Sequence, residues 1–195
     1  MKNIVVFASG SGSNFQSIID AISTGFLAAN ITGLITDRDN IKSIERAQFH
    51  NIPYSILSPK SFDNSKEYED ELSKVIELNH ADIIVLAGYL KKIPDSIIDI
   101  FRDRILNIHP SLLPKYGGKG FYGMKVHEKV INNEENESGC TVHLVNEIYD
   151  DGPILGQAVV PVKKSDSPSD LAKRVLTEEH KLYPQVISEF LKTLS

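Results

Sequence analysis

An asparagine and a histidine stand two residues apart at the end of a strongly apolar segment. Asn107 and His109 flank Ile108, and Pro110 follows directly. Because alternate side chains of an extended chain point to the same side, the amide and the imidazole are predicted to share one face of a strand. An amide donor beside an imidazole is suited to stabilising an oxyanion and moving a proton during acyl transfer. The alternative is a structural histidine beside a buried asparagine.

A second candidate site is a turn of small residues, 8–14 (ASGSGSN), which follows an apolar run and precedes a helical pattern. Small residues let the backbone approach a ligand, and the start of a helix favours an anion such as phosphate. Phe15 replaces the third glycine of the dinucleotide fingerprint, and the lysine of a P-loop is missing. Asp37 is placed to mimic the ribose-binding acid of a nicotinamide site, so the motif alone does not name the ligand. The alternative is a tight turn with Ser13 as a helix cap.

The elements that must position these residues alternate between strands and helices. The apolar spacing predicts strands at 4–8, 31–36, 53–57, 82–87, 104–109, 141–145 and 154–162. It predicts helices at 14–24, 41–50, 67–78, 94–101 and 126–133, and a C-terminal helix that begins after Ser167. This order is typical of a Rossmann-like α/β fold, with helices on both faces of an open, mainly parallel sheet and an antiparallel C-terminal addition. Ligands of such sheets bind beyond the carboxyl ends of the strands.

Composition and charge exclude several classes of protein. The 195 residues, 41% of them hydrophobic, are enough for one core, and we expect a single domain over 1–195. No apolar run approaches the roughly 20 residues of a membrane span, and the N-terminus lacks the pattern of a signal peptide. The single cysteine, Cys140, excludes an internal disulfide and a cysteine-based zinc cluster. The net charge of -5 argues against a nucleic-acid surface, and a cytoplasmic protein is predicted.

Residues 107–114 (NIHPSLLP) resemble the signature of the folate-dependent formyltransferases. Residues 12–14 (GSN), 86–89 (LAGY) and 150–153 (DDGP) extend the resemblance over nearly the whole chain. It points to the members that act on glycinamide ribonucleotide. It implies that a formyl group passes from 10-formyltetrahydrofolate to the substrate's amino group in de novo purine synthesis, without a metal. A monomer or homodimer that binds only these small molecules is expected.

The resemblance also implies the catalytic roles. His109 is implied as the acid/base and oxyanion partner, and Asn107 as a group that stabilises the tetrahedral intermediate. Asp150 matches the family carboxylate that raises the pKa of the histidine and positions a proton-relay water. Asp151 stands where glycine is common and could share that electrostatic role. His143 is implied to be a structural core histidine.

Ligand positions follow from the same resemblance. Gly12, Ser13, Asn14 and Glu179 match residues that bind the ribonucleotide. Residues 1–110 are expected to be the nucleotide-binding half, and 111–195 the folate-site and C-terminal half. The implied folate-binding residues are Lys66, Tyr89, Leu90, Lys91, Lys92, Ile93, Asn107, Val145 and Glu147. Lys91 stands where the family often has arginine, and a lysine would meet an anionic folate tail without bidentate geometry.

Other interpretations remain open at this stage. Residues 117–123 (GGKGFYG) replace a loop in which many family members carry histidines, and the glycines predict mobility there.

The chain could be another formyl-handling relative, namely a formyltetrahydrofolate hydrolase, a methionyl-tRNA formyltransferase or a sugar formyltransferase. The hydrolase usually carries an extra N-terminal domain and the tRNA enzyme a C-terminal RNA-binding domain, and we expect the length of 195 residues to leave no room for either. A non-catalytic nucleotide-binding module would leave Asn107, His109 and Asp150 without a shared purpose. His50, His80 and His127 are expected at the surface or at helix ends.

Overall fold

The computed structural model describes residues 1–194. Its strands are β1 (Lys2–Phe7), β2 (Ala29–Thr36), β3 (Tyr54–Ile56), β4 (Ile83–Leu86), β5 (Ile105–His109), β6 (Glu137–Leu144) and β7 (Ile154–Pro161). Its helices are α1 (Ser13–Ser23), α2 (Lys42–Phe49), α3 (Ser65–Leu78), α4 (Asp95–Ile100), α5 (Met124–Asn132) and α6 (Pro168–Leu191), and Pro59–Ser61 forms a 3-10 turn. Each predicted strand and helix is present.

The chain divides within β5 into two compact units, Met1–Leu106 and the part from Asn107 onward. In the first unit, β1 pairs in parallel with β2 and β4, and β2 pairs in parallel with β3. In the second unit, β6 and β7 are antiparallel. The strand order is β3-β2-β1-β4-β5-β6-β7, which confirms the predicted Rossmann-like α/β fold with its antiparallel C-terminal addition.

β1 and β4 form the buried centre of the first unit. Residues 4–7 of β1 are completely buried, and so are the first three residues of β4. Continuous apolar runs without alternation are typical of parallel strands covered on both faces, and burying each such side chain stabilises the fold by about 1.5–3 kcal/mol. The small-residue turn follows β1 and residues 87–93 follow β4, so the same core fixes the start of both segments.

β6 begins at Glu137 rather than at the predicted residue 141. Glu137, Ser138 and Gly139 have weak strand propensity, but they pair with the last residues of β7. A Cβ at Gly139 would lie 2.0 Å from the carbonyl oxygen of Ala158, so the close approach of the strands requires glycine. Pairing with β7 therefore sets the start of β6.

α6 begins where the sequence predicts. The Ser167 hydroxyl accepts the Asp170 N–H at 3.2 Å, and the Asp170 carboxylate accepts the Ser167 N–H at 3.1 Å. This reciprocal capping box satisfies two N–H groups at the start of the helix. Of the helices within residues 1–194, none is long and apolar enough to cross a membrane.

Candidate active site

His109 and Asp150 face each other in the second unit. His109 is the last residue of β5, and Asp150 lies in the turn between β6 and β7 with a φ of 56°. Nδ1 of His109 is 3.5 Å from Oδ2 of Asp150, and the two side chains are only 5% and 11% exposed. A buried carboxylate at this distance stabilises the protonated form of an imidazole. The structure therefore brings together two of the three residues expected to be catalytic.

The loop after β5 contacts both members of this pair. The carbonyl oxygen of Tyr116 is 2.8 Å from Nε2 of His109, and the N–H of Gly118 donates to Oδ2 of Asp150 at 2.9 Å. Because a carbonyl oxygen can only accept, Nε2 must carry a hydrogen and donate it. Nδ1 is therefore the basic nitrogen of neutral His109, and it faces the carboxylate.

Burial lowers the pKa of His109 below its ordinary value of 6.5. The charge of Asp150 and the Tyr116 carbonyl act in the opposite direction without reversing the shift. The family resemblance implied that Asp150 raises the pKa of this histidine. Asp150 does act in that direction, but the net pKa is lowered because the cost of burying the imidazolium cation is larger. His109 is accordingly neutral at pH 7. Burial also acts to raise the pKa of Asp150, but contacts with His143, His109 and the Gly118 N–H outweigh it, and that pKa is lowered.

His143 completes the cluster from the neighbouring strand β6. Its Nδ1 is 2.8 Å from the carbonyl oxygen of Leu144, so Nδ1 carries a hydrogen, and Nε2 can accept one. The amide nitrogen of Asn107 donates to this Nε2 at 3.1 Å, and Oδ1 of Asp150 is 3.6 Å from it. His143 is buried, as expected of a core histidine, but it also fixes which way the Asn107 amide points. The second N–H of that amide is then left to donate to a ligand.

The side chain of Tyr116 anchors the carbonyl that contacts His109. Tyr116 has a φ of 57°, which is uncommon for a residue with a side chain. Its hydroxyl donates to Glu135 at 2.7 Å and accepts from the Asn133 amide at 2.9 Å, while Lys115 binds both oxygens of Glu135 at 3.2 Å. Sequence reasoning missed Tyr116, because its contribution to His109 comes from the backbone. Its only signal was its position before two glycines.

In the first unit, the small-residue turn leads directly into α1. Gly12 is the residue before the helix, with φ 67° and ψ 31°, and no side chain caps the helix. The alternative of Ser13 as the cap is therefore wrong, since Ser13 is the first helical residue. A Cβ at position 12 would lie 2.7 Å from Cβ of Ser43, so only glycine fits. The first turn of α1 holds no acidic residue, and Asn14 is buried. The positive end of α1 is therefore suited to an anion from outside the helix.

Tyr89 and Leu90, two of the expected folate-binding residues, follow β4 and pack against the end of β1. The Tyr89 ring meets Phe7 edge-to-face at 5.2 Å, and its hydroxyl is 3.3 Å from that of Tyr68. Burial raises the pKa of Tyr89, so the phenol stays protonated. The N–H of Leu90 donates to the Ser9 hydroxyl at 3.0 Å. This hydrogen bond holds the backbone at Leu90 in place, while the Leu90 side chain is exposed.

Lys91 and Lys92 both have carboxylate partners. Lys91 is 3.7 Å from Asp37, and Lys92 is 2.8 Å from Asp95. Asp37 also receives two hydrogen bonds from Arg38, at 2.9 and 3.2 Å, and its side chain is only 2% exposed. Burial acts to raise the pKa of Asp37, but these contacts outweigh it and lower the pKa. Asp37 is therefore not accessible to a ribose hydroxyl, which removes the main support for a nicotinamide site.

The remaining expected site residues differ in exposure. Lys66 is exposed near the start of α3, and Glu147 is exposed between β6 and β7. Val145 is half-buried just after β6, Ile93 is 3% exposed, and Glu179 is 7% exposed on α6. The burial of Glu179 is unusual for a carboxylate and contrasts with an ordinary solvated helix position.

Two residues outside the cluster test other expectations. His127 is only 4% exposed and lies near the start of α5, so of the two expected positions it has the helix end and not the surface, and burial lowers its pKa to about 4. Cys140 is completely buried on β6, and burial raises the pKa of its thiol to about 12, so the thiol is unreactive at neutral pH. Within residues 1–194, no three His, Cys, Asp or Glu side chains are grouped to hold a metal ion.

Comparison with known proteins identifies relatives along nearly the whole chain. Residues 2–187 match the model of the formyl transferase family. Phosphoribosylglycinamide formyltransferase of Escherichia coli K12 is 39% identical over 96% of this chain and 86% of its own. The chloroplastic enzyme of that name from Vigna unguiculata is 46% identical over 95% of this chain, but the chain spans only 60% of that relative's length. The crystal structure of glycinamide ribonucleotide transformylase 1 from Symbiobacterium toebii superposes with a TM-score of 0.92 at 34% identity, covering 98% of this chain and 88% of its own.

A family match over this length, together with relatives well above 30% identity, settles the classification. Asn107, His109 and Asp150 lie inside the matched region. The chain belongs to the formyl transferase family.

Proposed function

We propose that the chain transfers the formyl group of 10-formyltetrahydrofolate to the amino group of glycinamide ribonucleotide. The products are formylglycinamide ribonucleotide and tetrahydrofolate, and the reaction belongs to purine synthesis. The observation that carries the proposal is the cluster of Asn107, His109, Asp150 and His143, with both histidines buried, in a member of this family. Relatives at 39% and 46% identity that bear the name of this activity support it.

Neutral His109 acts as the base of the proposed reaction. As the amine of the ribonucleotide attacks the formyl carbon, Nδ1 accepts the amine proton, because it is the ring nitrogen without a hydrogen. The resulting imidazolium gains the charge of Asp150 at 3.5 Å and the Tyr116 carbonyl at 2.8 Å. His109 then gives the proton to the departing folate nitrogen, so the amine loses the proton that the folate gains.

Asn107 stabilises the charge that develops on the formyl oxygen. His143 holds one amide hydrogen of Asn107, and the other donates to the oxyanion of the tetrahedral intermediate. Because the amide is oriented before the substrate binds, no reorganisation is needed when the charge appears. Removing one such donor commonly costs about 10²–10³ in rate.

The ligand-binding residues belong to the same proposal. Gly12, Ser13 and Asn14 bind the phosphate and ribose of the ribonucleotide with Glu179, and residues 1–110 form the nucleotide-binding half. Support comes from the glycine turn and from the unopposed positive end of α1. The folate is bound by residues 89–93, by Asn107, Val145 and Glu147, and by Lys66 at its tail, with 111–195 as the folate-site half.

The location and the assembly of the protein belong to the same proposal. We expect a cytoplasmic monomer or homodimer that acts on two small anionic substrates and does not bind nucleic acid. The net charge of -5 supports the last point, because a phosphate backbone needs a clustered excess of cations.

The test is an assay with glycinamide ribonucleotide and 10-formyltetrahydrofolate that follows tetrahydrofolate by absorbance and the formylated amide by mass. We expect both products in equal amounts from the wild type and a loss of at least about 10²-fold in His109→Asn. His80→Asn is the matched control, because His80 is exposed and its φ of 49° suits asparagine. No amide product from folded protein would refute the proposal. Formate release without the ribonucleotide would instead identify a hydrolase.

A further inference from the structure

Arg46 on α2 joins the small-residue turn to the first turn of α1. Its Nε donates to the carbonyl oxygen of Ser11 at 2.9 Å, and its Nη1 donates to Oε1 of Gln16 at 2.8 Å. Gln16 is also the first residue whose N–H makes a helical bond in α1, to the carbonyl of Gly12 at 2.9 Å. One guanidinium therefore binds residues on both sides of Gly12 and Ser13.

A second contact from α2 acts on the preceding peptide. The N–H of Ser43, in the first turn of α2, donates to the carbonyl oxygen of Gly10 at 3.2 Å. Two consecutive carbonyl groups of the turn, those of Gly10 and Ser11, are thus directed at α2. Neither peptide bond is cis.

The orientation of these carbonyls determines where the adjacent N–H groups point. In a trans peptide the N–H is antiparallel to the C=O of the same group. The N–H groups of Ser11 and Gly12 are therefore directed away from α2. Successive backbone N–H groups that point to one side form a concave anion site, to which the start of α1 adds its dipole.

Arg46 brings a charge that its own partners do not neutralise. Both of its hydrogen-bond acceptors are uncharged, and within residues 1–194 no carboxylate forms an ion pair with it. Gln16 is held in turn by Asp20 at 2.8 Å and faces His50 at 3.1 Å, so the acceptor on α1 is itself fixed. The planar guanidinium can make both bonds at once, which a lysine ammonium at the same place cannot match in geometry.

We propose that Arg46 is a positioning residue for the phosphate of the ribonucleotide. It fixes the Ser11–Gly12 peptide so that the Gly12 N–H is directed at the anion before the substrate binds. This inference rests on the proposed function, because the phosphate belongs to the substrate named there. Arg46 does not touch the reacting atoms, so its loss weakens ribonucleotide binding and leaves the chemical step unchanged.

The test compares Arg46→Ala and Arg46→Lys with the wild type. We expect both variants to raise the KM for glycinamide ribonucleotide about tenfold, the equivalent of one oriented hydrogen bond to a charged group. Neither the kcat nor the KM for the folate should change by more than about twofold. Arg102→Ala, which removes an exposed arginine paired with Asp99, is the control for net charge. Wild-type behaviour of Arg46→Lys would overturn the positioning role and leave only a charge effect.

A substrate without phosphate separates positioning from general damage to the fold. On the ribonucleoside, Arg46→Ala and the wild type should have equal kcat/KM, and an equally large loss there would overturn the inference. A wild type without any formyl transfer would refute the proposed function but not decide the role of Arg46. In that event, calorimetry with ribose 5-phosphate tests the role of Arg46, and we expect a higher Kd in both Arg46 variants than in the wild type. Equal Kd values in wild type and variants, or no binding to the wild type, would overturn the role of Arg46.

Discussion

Replacing Asp150 by asparagine isolates the charge that faces His109. The two side chains have the same shape, and the amide oxygen can still accept the N–H of Gly118, which bonds Oδ2 at 2.9 Å in the wild type. The change therefore removes a negative charge 3.5 Å from Nδ1 of His109 and leaves the loop contact in place. Any change in the proton affinity of the imidazole then comes mainly from this charge.

The size of the effect follows from the distance and the burial. Two unit charges 3.5 Å apart interact by about 1 kcal/mol at the dielectric constant of water and by about 5 kcal/mol at an effective constant near 20. Because the two side chains are only 5% and 11% exposed, an interaction energy in the upper part of this range applies. A lowering of the His109 pKa by about 1 to 3 is expected. Since burial already holds that pKa below 6.5, the variant histidine should bind a proton only at a still lower pH than the wild type.

The assay is an NMR titration of protein labelled with ¹⁵N-histidine, with the His109 resonances assigned by their absence in His109→Asn. The kcat is measured on the same samples, and it should fall about 10²–10⁴-fold because a weaker base accepts the amine proton less readily. Circular dichroism at each pH excludes unfolding as the cause. A His109 pKa that is equal or higher in the Asp150→Asn protein would refute the reasoning. It would mean that the carboxylate does not act on the imidazole electrostatically.

Four further predictions concern single residues and their environments. Asn107→Ala should lower kcat about 10²–10³-fold and raise the KM for the folate but not that for the ribonucleotide, and a KM effect without a loss of kcat would contradict an oxyanion role. Tyr116→Phe removes the hydrogen bond that ties the loop to Glu135. It should lower both kcat and the pKa of His109, since the Tyr116 carbonyl raises that pKa. An unchanged pKa of His109 would show that the Tyr116 hydroxyl does not hold the carbonyl in place. The pKa of His127 is lowered to about 4 in the folded protein, so on acidification the unfolded chain binds a proton before the folded chain does. The free energy of unfolding should therefore fall by up to about 3 kcal/mol between pH 6.5 and 4. His127→Leu should lose that part of the dependence in denaturant titrations at the two pH values. Cys140 should resist alkylation at pH 8 in the folded protein and react in guanidinium, and rapid labelling of the native state would contradict its burial.

The sequence was sufficient for the features that depend on local pattern. The apolar runs of β1 and β4 predicted strands, and the alternation of strands with helices predicted a mainly parallel sheet. The spacing of Asn107 and His109 predicted a shared face, and the structure connects both to Asp150 within one cluster. These inferences needed only the geometry of a strand and the chemistry of the side chains.

The contacts that tune the cluster had no such pattern. The Tyr116 carbonyl binds His109, but every residue has a carbonyl group, and the sequence does not show in which direction that group points. The net direction of the His109 pKa depends on how deeply the ring is buried, which is a property of the folded loop. Lys91 meets Asp37 only because β2 and β4 both lie beside β1 in the sheet. The sequence order gives no measure of that proximity.

The acidity of the chain and the anionic charge of its proposed substrates are compatible because charge acts locally. At physiological salt the Debye length is about 8 Å, so most of the 26 acidic residues are screened from any one site. No acidic residue precedes Asp20, so the turn before α1 has no carboxylate of its own within the first turn of the helix. Arg46 adds a cation whose hydrogen bonds go to uncharged oxygens. A phosphate bound as proposed would meet backbone N–H groups and a helix dipole, with the Arg46 guanidinium on the other side of the turn, and the net charge of -5 has little bearing on its affinity.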